Sequence, residues 1–199
     1  MAASPSGRSL ARSIQERLEA LYGLDAPSVD EFVQSSEDGR EQVLVHEQGE
    51  HLEIAVLLPP EALEATAAVS LDVYCQVAEG VSHFLYLVER ARRGLPATQL
   101  ELELQAEVDK YVVVTGVARR ASPAGPERVR ERLFQRATFL HPVGSELGDR
   151  YRLATRLASR FTSRLAPDRV HAREVESVRT LRRFFDAGQR EKLEMVLAA

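Results

Sequence analysis

The run from Ser70 to Arg92, closed by Gly94 and Pro96, constrains the fold more than any other part of the chain. Read as a helix, it is apolar around most of its circumference, from Leu71, Val73 and Val77 through Val81, Phe84, Leu85 and Val88. A helix without a broad polar face has to be covered on several sides, so it predicts the buried centre of a bundle. It is not a bilayer span: Asp72, Gln76, Glu79 and His83 fall inside the apolar stretch from Val69 to Val88.

The remaining segments read as cover for that helix. Leu10, Ile14, Leu18 and Leu21 recur at helical spacing, so Ser9 to Tyr22 is an amphipathic helix ended by Gly23. Ser28 is placed to cap a short helix carrying Val29, Phe32 and Val33, ahead of a polar loop from Ser35 to Arg40. Residues 41–58 carry the clearest β signal. Two β-rich runs flank Gln48-Gly49, which suits a two-residue hairpin turn with Val45 opposite Leu52 and Val43 opposite Ile54. Leu44, His46, His51 and Glu53 then share the other face. After Pro59-Pro60, a first helical turn over Glu61 to Ala67 leads into the central helix.

Residues 100–117 are ambiguous. Alternation from Leu100 to Leu104 suggests a strand, while Leu100, Leu104, Val108, Tyr111, Val112 and Thr115 fit one helical stripe. The helix, antiparallel to its predecessor, is the reading adopted here. Val112-Val113-Val114 and Gly116 are the main argument against it. Past the break at Ser122-Pro126, the pattern predicts helices over Glu127–Phe139, Glu146–Leu165, Arg169–Asp186 and Gln189–Leu197. The expected fold is therefore mainly α (α+β): a helical bundle with a buried central helix (about 70–92) and one N-terminal β-hairpin (about 41–58). It is expected to form a single domain over 1–199, subdivided into 1–118 and 127–199.

That subdivision follows charge. Residues 1–118 hold 8 basic and 20 acidic side chains, whereas residues 119–199 hold 18 and 10. Arg152, Arg156, Arg160 and Arg164 repeat at i, i+4, and Arg128, Arg132 and Arg136 do the same before them. Like charges at that spacing repel, so the ladder needs solvent or a countercharge. Nucleic acid is one countercharge. Pairing with Glu101, Glu103 and Glu107 is another. All basic residues but Lys110 and Lys192 are arginine, a bias that reads as GC-rich, bacterial-like codon usage before it reads as phosphate binding.

Chemistry-bearing residues are few. Glu79 and His83 sit one turn apart on the most apolar helix, where an unpaired carboxylate is costly. An antiparallel partner helix would bring Glu103 and Glu107 within reach, giving a Glu/His set suited to Fe, Mn or Zn. A core hydrogen-bond network accounts for the same residues without a metal. The spacing is Glu-x-x-x-His in one copy, not the duplicated Glu-x-x-His of di-iron bundles. His46 and His51 face each other across the expected turn, a weak two-ligand set. His141 and His171 have no partner set. Cys75, the single cysteine, excludes a disulfide scaffold and lacks a base for nucleophilic work. No catalytic nucleophile elbow, P-loop, Rossmann glycine pattern or HExxH is present.

The first functional expectation is accordingly a non-catalytic helical interaction or regulatory protein that binds a protein partner or itself. The alternatives are a metal-binding protein or metalloenzyme at Glu79, His83, Glu103 and Glu107, and nucleic-acid binding through Arg152, Arg156, Arg160 and Arg164. No cofactor is required by the first reading, and no membrane contact by any. The N-terminus lacks an apolar signal core, so a cytoplasmic protein is expected.

Overall fold

A computed structural model describes residues 9–48, 51–64, 69–121, 125–165 and 171–198. Helix α1, Leu10–Tyr22, begins where Ser9 Oγ accepts a hydrogen bond from the Arg12 amide and ends at Gly23, whose φ of 74° suits a residue without Cβ. Helix α3, Leu71–Arg92, is capped in the same way by Ser70, which accepts from the Val73 amide. From Val77 to Tyr86 every residue except Glu79 is buried, so this helix is the centre of the bundle, as its composition requires.

The sheet departs from expectation in two respects. It has three strands, in the order β1 (Val33–Ser35), β3 (His51–Leu58), β2 (Gln42–Gln48), with β1 parallel and β2 antiparallel to β3. The short helix expected after Ser28 is a single 3₁₀ turn, Val29–Glu31. Phe32 and Val33 turn away from it into β1, because the central strand has a free edge there. The Val56 amide donates to the Phe32 carbonyl at 2.9 Å, and the Ser36 amide to the Leu58 carbonyl at 2.8 Å.

The second departure is the hairpin register. Val45 pairs with Ile54, Val43 with Val56, and Gln48 with His51, so Gln48 belongs to the ladder and not to the turn. The register has moved by two residues, which leaves every side chain on its expected face. It separates His46 from His51, however, and sets His46 opposite Glu53.

After α2, Pro60–Leu63, and α3, helix α4 spans Gln99–Ala121. The helical reading of 100–117 holds, and the reason for the strand-like alternation is visible. Glu101 to Ala106 are all buried, because α4 packs against α1, α3, α6 and α8. Its polar residues are as enclosed as its leucines and are matched by partners on those neighbours. The pairs Ser82–Asp109, Glu79–Lys110 and Tyr86–Glu101 run in opposite directions along α3 and α4, so the two helices are antiparallel.

The basic segment folds onto this pair. Helix α5, Gly125–Arg130, passes into a π-helical turn over Glu131–Gln135, shorter than the helix expected to reach Phe139. Helices α6 (Glu146–Thr162), α7 (His171–Asp186) and α8 (Gln189–Leu197) follow. Phe161 and Phe184 stack with centroids 4.0 Å apart, and Arg182 Nε donates to the Leu21 carbonyl at 2.6 Å, tying α7 to α1. Among the described residues no helix is long and apolar enough to cross a membrane.

Sheet and bundle meet at Gly80. A Cβ there would lie 3.0 Å from Val56 Cγ1 and 3.2 Å from both Leu58 Cδ2 and Glu41 Cγ. Only hydrogen at this position lets β3 and the start of β2 approach α3 so closely. The Glu41 amide is then anchored on Gln76 Oε1 at 3.2 Å.

Candidate metal centre

Glu79 and His83, at i and i+4, project from one face of α3 toward α4. Glu103 on α4 completes a group of three whose ligand atoms lie within 4.8 Å of one another. His83 Nε2 is 4.0 Å from Glu103 Oε2, and His83 Nδ1 is 3.5 Å from Glu41 Oε1. Glu107 stands at the edge of this group. Lys110 Nζ bridges it to Glu79, donating at 2.8 Å to Glu107 Oε1 and at 2.9 Å to Glu79 Oε2. From α6, Arg150 Nε approaches Glu103 Oε1 at 3.9 Å, and the Thr155 hydroxyl hydrogen-bonds Glu107.

The cluster is enclosed but not satisfied. Among the described residues, four buried side-chain polar atoms have no hydrogen-bond partner, and three belong here: Glu41 Oε1, His83 Nε2 and Arg150 Nε. Two of them face an opposite charge just beyond hydrogen-bond reach: Glu41 Oε1 lies 3.5 Å from His83 Nδ1 and Arg150 Nε 3.9 Å from Glu103 Oε1. The Glu41 carboxylate beside Nδ1 orients the ring and turns Nε2 toward Glu103. This is the carboxylate–histidine arrangement that supports metal-bound imidazoles.

Protonation follows from the same geometry. Burial works against an imidazolium at His83, but the carboxylates of Glu41, Glu103 and Glu79 outweigh it and raise the group to about 9. Burial lifts the Glu103 carboxyl to about 7 against the pull of His83. Burial also raises Glu41 and Glu107. Glu79 is pushed upward by burial too, yet Lys110 and His83 hold it below the ordinary carboxylate range. Near neutral pH the cluster without a metal therefore holds a proton on His83 and shares another at Glu103.

Of the residues singled out from sequence, Glu79, His83 and Glu103 meet, and Glu107 meets Glu79 through Lys110. Glu41, Lys110 and Arg150 were not anticipated. Glu41 lies outside any helix and reaches the site only through the close approach at Gly80. Lys110 had a visible signal, being one of two lysines in an arginine-rich chain.

The four arginines of the ladder make different contacts. Arg152 donates to the His141 carbonyl at 2.9 Å and lies over the Phe139 ring. Arg164 donates to the carbonyls of Met195 and Val196 at the end of α8, and Arg160 to that of Leu197. Guanidiniums at a helix C-terminus satisfy its last carbonyls and its dipole. Of these four, Arg156 is exposed and has no hydrogen bond or ion pair among the described residues. The expected pairing of the ladder with Glu101, Glu103 and Glu107 is replaced by Arg90 at Glu101, Arg150 at Glu103 and Lys110 at Glu107. His141 stacks on Tyr151, the side chain of His171 lies outside the described residues, and burial pushes the Cys75 thiol up to about 11, far from a reactive thiolate.

On its other side α4 carries a second buried polar group. Asp109 accepts from Tyr22 Oη, from Ser82 Oγ at 2.6 Å and from Gln105 Nε2 at 2.9 Å. Lys192 of α8, fully buried, donates at 2.6 Å to Gln105 Oε1 and to the Phe184 carbonyl. It lies over the rings of Tyr86 and Phe184.

No protein-family model, curated protein or solved structure matches this chain.

Proposed function

We propose that this protein binds one divalent transition-metal ion between α3 and α4, through His83 Nε2 and the carboxylates of Glu79 and Glu103, with Glu41 orienting His83. The observation that carries the reading is the buried, unpartnered Nε2 of His83, lying 4.0 Å from Glu103 Oε2. One imidazole with two carboxylates is a donor set for iron, manganese or zinc and not for calcium, which takes oxygen ligands. Donor atoms around a four-coordinate ion lie about 3.3 Å apart at metal–ligand distances near 2.0–2.1 Å. Side-chain shifts of about 1 Å bring the three into place. Lys110 keeps Glu79 ionised and occupies one of its oxygens, leaving the other for the ion. Glu107 serves the cluster through Lys110 and not as a ligand.

Protein stripped with a chelator and titrated calorimetrically with Zn²⁺ or Mn²⁺ should bind one equivalent and release protons as it does so. The variants His83→Ala and Glu103→Gln should lose that binding while keeping the helical circular-dichroism spectrum. Absence of saturable binding of Zn²⁺, Mn²⁺ and Fe²⁺ in the wild type, or binding unchanged in both variants, defeats the reading.

A further inference from the structure

A cavity of about 330 Å³ lies between α6 and the segment that follows α5, walled by Phe134 and Phe139 and lined on α6 by Arg152, Thr155, Arg156 and Ser159. Its composition is selective. Two phenyl rings supply apolar walls, no carboxylate lines it, and both charged groups are guanidiniums, in a chain whose formal net charge is −4.

The two arginines are in different states. Arg152 is held by the carbonyls of His141 and Pro142 and by the face of Phe139, 4.7 Å from its ring centroid. Among the described residues Arg156, one turn further along α6, has neither a hydrogen bond nor an ion pair, and Ser159 Oγ beside it has no hydrogen bond either. The planar fork of a free guanidinium matches a carboxylate in bidentate fashion. Phe134 is delivered by the π-helical turn, a rare element that recurs at functional sites. The ring also contacts Tyr111 of α4, with centroids 6.0 Å apart, so the wall is braced from behind.

We infer that this cavity is a binding site for a small aryl carboxylate, its ring held between Phe134 and Phe139 and its carboxylate held by Arg156 and the Ser159 hydroxyl. The volume falls at the lower end of the range for ligand pockets, which suits a single ring and not a nucleotide. The inference is independent of the metal. Thr155, whose hydroxyl is taken by Glu107, is the sole point where the cavity touches the charged cluster.

Benzoate is the probe, added to full-length protein in the presence of a chelator so that metal binding cannot contribute. Saturation-transfer NMR and calorimetry should show saturable binding below about 10 mM, in the weak range expected of so small a ligand. Arg156→Gln, an exposed substitution that leaves the fold intact by circular dichroism, should weaken it about tenfold or more. Benzamide, with the ring but no charge, should bind at least as poorly to the wild type as benzoate does to that variant. Inorganic phosphate should not compete. Equal binding of benzoate to wild type and Arg156→Gln, competition by phosphate at comparable concentration, or no saturable benzoate binding would each overturn the assignment.

Discussion

Helix α4 separates two buried polar groups built from similar residue types, and they differ in completeness. On the side of Asp109, every donor has an acceptor: Tyr22, Ser82 and Gln105 converge on the carboxylate, and Lys192 closes onto Gln105 and a main-chain carbonyl. On the side of His83, Glu41 Oε1, His83 Nε2 and Arg150 Nε are buried without a hydrogen bond, each with an oppositely charged group at 3.5 to 4.0 Å. A completed network specifies how helices seat on one another, since each member is costly to leave unpaired. The contrast teaches that similar burial and charge go with very different completeness of hydrogen bonding.

The largest way to break the comparison is Asp109→Ala. It strands three donors at the junction of α1, α3 and α4, and should lower the unfolding free energy by about 3–5 kcal/mol in urea denaturation. A similar loss from Glu103→Gln in metal-free protein would erase the distinction between the two groups.

The next prediction uses pH. Burial lowers Lys192 to about 7, against Asp109, Glu101 and Asp186 and together with Arg90. The unfolded chain then binds its proton between pH 7 and 10.5 while the native protein does not, so this residue makes stability rise with pH across that window. His83, raised to about 9 by Glu41, Glu103 and Glu79 against its burial, contributes stability that is complete below 6.5 and is lost as pH rises through 9. Between pH 7 and 9 the two trends oppose. Metal-free wild type should change little there. Lys192→Met should become less stable as pH rises and His83→Leu more stable, each by up to about 1.4 kcal/mol per pH unit. Thermal melts at constant ionic strength check the signs, and identical slopes in the two variants would refute the assignment.

A smaller effect is expected at Glu41. Glu41→Gln should reduce metal affinity about 10- to 100-fold by releasing His83 from its orientation, and in metal-free protein it should bring the His83 pKa back down toward its ordinary value. The smallest is Gly80→Ala. Alanine gains about 1 kcal/mol of helix propensity. Its Cβ, however, meets Val56 and Leu58 of β3 as well as Glu41, and crowding of this kind costs about 1–3 kcal/mol. A net loss of about 1 kcal/mol in chemical denaturation, with weaker metal binding, would tie the sheet to the site. Unchanged metal affinity would separate them.

Much of the helical layout was legible because it depends on local pattern. Ser9 and Gly23 bound α1, Ser70 and Gly94 bound α3, and the density of apolar residues in α3 required a central position. The Glu79/His83 spacing and an antiparallel α4 were enough to place Glu103 beside them. The third strand was not legible, since three residues from Val33 to Ser35 become a strand only when the edge of β3 is offered. Nor was the hairpin register, because two registers differing by two residues bury the same faces.

What the sequence determined by itself, then, is where helices begin and end, which of them must be central, and which acidic residues and histidine share a helix face. These follow from period, capping and the cost of exposing apolar surface. Tertiary structure alone decided which buried polar atoms find partners. Glu41 and His83 are distant in the chain and meet because Gly80 admits the sheet. Arg152, Arg160 and Arg164 look alike in a ladder, yet each is held by a carbonyl that only folding brings near. Hydrogen bonding is short-ranged and directional, so whether it is satisfied is a property of the packed molecule and cannot be read from the order of its residues.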